Sequence, residues 1–132
     1  MKIGELARRA DVPIDTIRFY EREGVIPPPP RLASGYRDYA ETDVQRLQFL
    51  QRAKRLGFTL AEIHELLGLW EDRTTDMARF NRHAQAKLGD IDQRIAALQQ
   101  VRTALDALVD ACPGHGALQA CPILAALSGD PP

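Results

Sequence analysis

The sequence has 132 residues, 45% of them hydrophobic and 27% charged, which indicates one soluble folded domain with at most a small extension. It contains no run of about 18 apolar residues, which excludes a transmembrane helix, and its charged beginning lacks the apolar core of a signal peptide. The formal net charge of −1 gives no global sign of a nucleic-acid partner, although residues 1–58 carry 11 lysines and arginines against 8 acidic residues. We therefore expect a cytoplasmic protein with no membrane partner.

The first 24 residues are predicted to form a helix, a tight turn and a second helix. Apolar residues recur at helical spacing over residues 3–10, and Asp11-Val12-Pro13 then interrupts the pattern. Pro13 suits the first turn of the next helix, where its missing N–H costs nothing, and Gly24 is a plausible end for that helix.

Residues 25–39 are predicted to form a small β-ribbon or wing. The four prolines at 27–30 exclude a helix and favour extended backbone, and Ser34-Gly35 is a turn signal followed by the sequence YRDY. A ribbon at this point would separate the first two helices from the helices that follow.

Two more helices are predicted after the wing. The third is expected from Glu41 or Thr42 to about Leu56. The fourth begins after Thr59, because Thr59 and Glu62 have the spacing of a capping box.

One long helix is predicted from residue 75 to residue 111, because this stretch has no proline and a single glycine. At 1.5 Å per residue it would be about 50 Å long. Such a helix cannot bury its apolar stripe within a chain of this size, so we expect a two-chain coiled coil; the alternative is a helix folded back on the N-terminal helices. The stripe consists of Leu88, Ile91, Ile95, Leu98 and Leu105.

Several long motifs, in the right order, resemble the MerR family of transcriptional regulators. They are TIRFYEREG at 16–24, GYRDY at 35–39, the helix around 43–55 and LGFTLAEI at 56–63. The resemblance implies a mainly α fold with a winged helix-turn-helix DNA-binding domain at 1–70 and a dimerisation helix at 75–111. In the homodimer this helix would form an antiparallel coiled coil, and residues 112–132 would form a metal-binding loop and a short helix. No nucleophile–base pair or phosphate loop occurs, so we expect no enzymatic activity.

The predicted DNA contacts lie on the second helix, on the wing and on nearby cationic side chains. Arg18 could grip a phosphate or a guanine edge, and the resemblance assigns Tyr36 and Arg37 to the DNA backbone. Asp15 could accept a hydrogen bond from a cytosine amino group or face solvent. Tyr20 is a further candidate, although packing in the core is the stronger expectation for it. The candidate residues are Asp15, Arg18, Tyr20, Arg31, Tyr36, Arg37 and Arg55.

Both cysteines of the chain lie in one short segment, ACPGHGALQACPI at residues 111–123. In a reducing cytoplasm, a close cysteine pair is more often a metal or redox site than a structural disulfide. The frame resembles the metal-sensing branch of the family, most of all the copper-efflux regulators of the CueR type. Because thiolates select soft ions, we expect Cys112 and Cys121 to bind Cu(I), Ag(I) or Au(I) as an effector.

A divalent sensor for Zn, Cd, Pb or Hg stays open, because eight residues separate the cysteines. Copper-type members of the family typically have seven at this point, and divalent-type members commonly have eight. Divalent-type members also use a third cysteine at the start of the long helix, where this chain has Met77. Without a third cysteine a three-thiolate site is impossible, although His115 could complete a zinc site and Met77 could lend a thioether. A reversible disulfide would instead make the protein a thiol redox sensor.

The resemblance also implies how the protein would act on transcription. It would bind an overlong promoter spacer with and without metal, and with metal it would bend and untwist the DNA so that RNA polymerase can align both promoter elements. The polymerase is thus an indirect partner. The chain lacks the large C-terminal domain of the drug-sensing members, so no organic cofactor is expected.

Overall fold

The computed structural model describes residues 1–129 and is mainly α-helical, as the sequence predicts. The helices are α1 (Ile3–Ala10), α2 (Ile14–Arg22), α3 (Glu41–Arg55), α4 (Leu60–Glu71), α5 (Met77–Ala111) and α6 (Pro122–Ser128). A 3-10 turn, Leu118–Ala120, precedes α6. Within residues 1–129, no helix combines the length and the apolar composition that are needed to cross a membrane.

The chain divides into two compact units, and the division falls inside α5. The first unit runs from Met1 to Lys87, and the second begins at Leu88. The start of α5 therefore belongs to the same compact unit as the first four helices.

The core of the first unit lies where α1, α2, α3 and α4 meet. Each helix contributes large apolar side chains on one face, and full burial of such a side chain contributes about 1.5–3 kcal/mol to folding. The largest fully buried side chains are Leu6, Ile17, Ile26, Leu47, Leu50 and Ile63.

The predicted capping box at the start of α4 is confirmed. The Thr59 hydroxyl accepts a hydrogen bond from the Glu62 amide at 3.2 Å, and the Thr59 amide donates to Glu62 Oε1 at 2.8 Å. The same carboxylate lies 2.8 Å from the ammonium of the buried Lys87 on α5, and these contacts lower the pKa of Glu62 to about 2. The Glu62 carboxylate thus caps the N-terminus of α4 and also forms an ion pair with α5.

The predicted β-ribbon at residues 25–39 is reduced to a single bridge. Among the described residues no strand forms, and Arg31 and Arg37 make one isolated antiparallel bridge. Leu32 donates to Tyr36 O at 2.7 Å and closes the turn, which uses the positive φ of Gly35. The physical reason is the proline run at 27–30, because proline has no N–H to donate to a ladder.

Candidate DNA-binding surface and cysteine site

The helix-turn-helix is formed by α1, a tight turn and α2. Asp11 takes the left-handed conformation at φ 56°, and the Val12 amide donates to Ala7 O at 3.0 Å, which ends α1 sharply. Pro13 is the N-cap of α2, one residue before the predicted first turn. The burial of Ile17 and Tyr20 on one face of α2 leaves its other face, with Asp15 and Arg18, exposed.

A cleft of about 710 Å³ brings together four of the seven predicted DNA-contacting residues. Arg18 of α2 lines it together with Arg31, Tyr36 and Arg37 of the wing. The four side chains supply three positive charges and one phenol, which suits a surface that meets phosphates. Asp15 and Arg55 are exposed but do not line this cleft.

Tyr20 is the candidate that does not reach this surface. Its side chain is 4% exposed and belongs to the hydrophobic core, so its role is packing, as the stronger expectation had it, and it is not available for DNA contact. The helical periodicity of α2 explains why Tyr20 is buried, because Tyr20 lies three residues after the buried Ile17 and so on the same helical face.

Lys2 is a residue of this cleft that the sequence analysis did not identify. Its ammonium lies over the ring of the wing residue Tyr36, 4.5 Å from the ring centre, and it lines the same cleft. The only sequence signal was a cationic residue just before α1, which alone does not separate a DNA contact from an ordinary surface charge.

Arg37 is held by side chains of its own unit. Its guanidinium pairs with the Glu21 carboxylate of α2 and lies 3.5 Å from the Tyr39 hydroxyl, which itself donates to Glu21 at 2.5 Å. The hydrogen bond with Tyr39 and the nearby Glu21 charge raise the pKa of Arg37. The Glu21 side chain is 6% exposed and the Arg37 side chain 35%.

The cysteine loop lies in the second unit, between α5 and α6. Cys112 directly follows α5, and Cys121 is the N-cap of α6, so two helix ends fix the two thiols. The loop folds back through Gly114 and Gly116, whose φ values of 82° and 107° favour glycine. The Cys112 and Cys121 sulfurs lie 3.8 Å apart at a cavity of about 250 Å³ that is formed by the loop itself.

The surroundings of Cys121 lower the pKa of its thiol. Amide N–H groups of Leu124 and Ile123, in the first turn of α6, together with the Cys112 thiol, lower the pKa of Cys121. Amide donors aimed at sulfur favour the thiolate, which is the form that binds metal ions. The half-buried position of both cysteines leaves them reachable from solvent.

His115, the additional candidate ligand in the loop, does not join the two thiols. His115 is exposed, and its Nδ1 lies 3.1 Å from Pro113 O. Met77 belongs to the first unit and is 86% exposed. Over residues 1–129, no group of three or more histidine, cysteine or acidic side chains is arranged to hold a metal ion.

The donor set fits a soft metal ion, and the sulfur separation constrains its coordination. At metal–sulfur bonds of about 2.3 Å, sulfurs 3.8 Å apart subtend an angle of about 110° at the ion. A linear arrangement at the same bond length needs a separation of about 4.6 Å. The two thiols can therefore bind an ion with a bent S–metal–S angle as they stand. A linear S–metal–S arrangement requires the sulfurs to move about 0.8 Å further apart.

Two family models match the chain over most of its length. The model of the MerR HTH family of regulatory proteins covers residues 1–69, and the MerR DNA-binding model covers residues 44–108. The fold and the two matches define a helix-turn-helix DNA-binding protein of one family. The chain belongs to the MerR family of transcriptional regulators, which are not enzymes, as the sequence predicts.

Individual relatives extend the similarity along the whole chain. The regulator HmrR of Rhizobium leguminosarum bv. viciae is 47% identical over 97% of this chain and 98% of its own length. The regulator CueR of Escherichia coli O6:H1 is 38% identical over 98% of this chain and 95% of its own. The lead(II) complex of PbrR691 from Ralstonia metallidurans CH34 superposes with a TM-score of 0.86, at 33% identity, over 96% of this chain and 98% of that one.

Proposed function

We propose that this regulator responds to a soft monovalent metal ion, Cu(I) before others, which Cys112 and Cys121 bind with two sulfurs. The observation that carries the proposal is a thiol pair 3.8 Å apart to which, among residues 1–129, no third histidine, cysteine or acidic side chain is added. Two thiolates alone suit ions that accept low coordination, whereas Zn(II) takes four ligands. The relative crystallised with lead(II) supports a metal ion as the effector but does not favour a monovalent one.

Promoter DNA is the proposed macromolecular partner. Arg18 on α2 would meet the major groove or its edge, and the wing residues Tyr36 and Arg37 would meet the backbone, because these side chains line one cationic cleft. Arg31 and Lys2 add charge to the same cleft. Since phosphate contacts fix position rather than sequence, part of the specificity would come from how easily the spacer deforms.

Replacing Arg18 or Arg37 by alanine is expected to weaken DNA binding and leave metal stoichiometry unchanged. Each lost phosphate contact releases roughly one counterion fewer, so the slope of log affinity against log salt should flatten by about one unit. The measurement is fluorescence anisotropy at several salt concentrations on a duplex that the wild-type protein selects from a random pool. Arg73→Ala, an exposed cation outside the cleft, is the matched control. Unchanged affinity and slope in both variants would contradict this placement.

The proposed homodimer would form through the middle of α5. In the single chain, Leu88 is 59% exposed, Leu98 is 67% exposed and Leu105 is 51% exposed, and Ile95 shares the stripe. Ile91, the fifth predicted member, is half-buried. Exposed leucines at this spacing on a 35-residue helix support an antiparallel coiled coil with a second copy rather than solvent.

The proposed response couples the cysteine loop to promoter shape. A bound ion would supply the link between the two sulfurs, and the Leu124 and Ile123 amides would stabilise the Cys121 thiolate that holds it. The ends of α5 and α6 would then be fixed relative to each other. Metal-free protein would hold the DNA in an unproductive shape, and metal-bound protein would distort the spacer so that RNA polymerase aligns both promoter elements.

A divalent sensor is the second candidate, and two observations favour it. Eight residues separate the cysteines, and their sulfur separation matches an angle of about 110°, closer to a tetrahedral than to a linear site. The relative crystallised with lead(II) is in keeping with it. His115 would then have to turn away from Pro113 O and bind the ion, so His115→Ala separates the two candidates. A thiol redox sensor would respond to oxidant without any metal.

A further inference from the structure

We infer that Glu21 is a positioning residue for DNA binding, whose buried carboxylate holds the wing side chain Arg37 against α2 so that the helix and the wing meet DNA as one surface. DNA binding at this surface is itself part of the proposed function. The inference adds an acidic residue, which by charge alone would oppose DNA.

Three side chains close a ring at the junction of α2 and the wing. Glu21 lies in the last turn of α2; one of its carboxylate oxygens accepts from Arg37 and the other accepts from Tyr39 at 2.5 Å. Arg37 also lies 3.5 Å from the Tyr39 hydroxyl. Tyr39 is 2% exposed and the Glu21 side chain 6%, so water has little access to the bond between these two residues.

Backbone bonds tie the wing to itself and to the N-terminus, since the Asp38 amide donates to Pro30 O at 2.9 Å and the Tyr39 amide donates to Met1 O at 2.8 Å. The ring of Glu21, Arg37 and Tyr39 ties the Arg37 side chain to α2. The wing's only β-pairing in the described residues is the single bridge between Arg31 and Arg37, and the prolines before it donate no ladder hydrogen bonds. Arg37 therefore joins the wing's one bridge through its backbone and α2 through its side chain. Without Glu21 the long Arg37 side chain would take several positions at the cleft, and ordering it on DNA binding costs entropy.

The geometry leaves Arg37 able to touch DNA while Glu21 holds it. A guanidinium carries five N–H donors, and the contacts with Glu21 and Tyr39 both use Nη1. The Arg37 side chain stays 35% exposed and lines the cleft with Arg18 and Tyr36. Glu21 thus orients one edge of the guanidinium, and its own negative charge is paired rather than turned toward phosphate.

Whether DNA affinity falls or rises when Glu21 is removed separates a positioning role from a simple charge effect. Glu23, the C-cap residue of α2, is an exposed acid two residues from Glu21 and is the matched control. Removing an acid beside a DNA surface raises affinity by Coulomb attraction, so Glu23→Ala should bind DNA as tightly as wild type or more tightly. We expect Glu21→Ala to bind at least about tenfold more weakly and to flatten the salt slope by about one unit, the same change that is expected for Arg37→Ala.

The test is a double-mutant cycle in the full-length chain, with DNA binding measured by anisotropy on the selected duplex. Glu21→Ala should cost at least about tenfold in the wild-type background but less than about threefold in the Arg37→Ala background, because the ring is already broken there. Glu21→Gln, which keeps the side-chain size, should show the same coupling with a smaller loss. The fluorescence of Trp70, which stacks on Phe49 in the same unit, reports whether each variant is folded.

Equal losses in both backgrounds, an affinity gain like that of Glu23→Ala, or a loss that accompanies unfolding of both Glu21 variants would overturn the positioning role. If the wild-type protein itself selects and binds no duplex, the proposed function fails instead. The two failures are therefore distinguishable.

Discussion

Replacing either cysteine by serine, Cys112→Ser or Cys121→Ser, is expected to abolish the transcriptional response to metal while DNA affinity stays within about twofold of wild type. Removal of one sulfur from a two-sulfur site leaves a single thiolate, and within residues 1–129 no other group is placed to replace it. The proposed DNA-binding surface lies in the first unit, which contains neither thiol, so metal-free binding should not need them. The measurement is in vitro transcription from a test promoter that carries the selected duplex as its spacer, with and without Cu(I), alongside anisotropy on the same DNA.

The control for this prediction is His115→Ala in the same loop. Its imidazole is exposed and makes its contact with Pro113 O, so its loss should leave the response intact. A cysteine variant that still responds to metal would show that the thiols are not the site. A His115 variant that loses the response would assign the site to a divalent ion.

Placing glutamates at Leu98 and Ile95 is expected to convert a dimer into monomers and to lower DNA affinity by at least about 100-fold. Each glutamate would bury an unpaired charge in the proposed coiled-coil seam, which costs several kcal/mol. A monomer would also lose the second half of a two-fold DNA site, and two linked half-sites bind far more tightly than one. Light scattering at micromolar concentration measures the mass directly.

The matched control for the seam is Gln100→Glu, which adds the same charge to an exposed polar position on α5. It should remain a dimer and bind DNA as wild type does. Wild-type protein that is monomeric at micromolar concentration would contradict the seam, as would a double variant that remains dimeric.

Local sequence rules predicted the elements and the thiol pair well. The capping box of Thr59 and Glu62 joins residues three apart, and the thiols Cys112 and Cys121 lie within one short loop, so neighbouring sequence determines both. Proline and glycine content likewise predicted one long helix, which runs over Met77–Ala111. These features need no knowledge of which distant residues meet.

Contacts between distant residues could not be predicted in the same way. Glu21 and Arg37 are 16 residues apart and Glu62 and Lys87 are 25 apart, and nothing in either local sequence identifies the partner. The sequence predicts more β-structure in the wing than the single observed bridge. A turn signal predicts a reversal of the chain but not how many bridges the flanking prolines permit.

The central claim is that two thiolates alone define the effector, and an anaerobic competition titration of metal-free protein tests it most directly. The protein would be titrated with Cu(I) against a Cu(I) chelator, and with Zn(II) and Cd(II) against their chelators. We expect one Cu(I) for each pair of Cys112 and Cys121, bound more tightly than either divalent ion and equally well by His115→Ala. Tighter binding of zinc or cadmium, or a loss of affinity in His115→Ala, would contradict it.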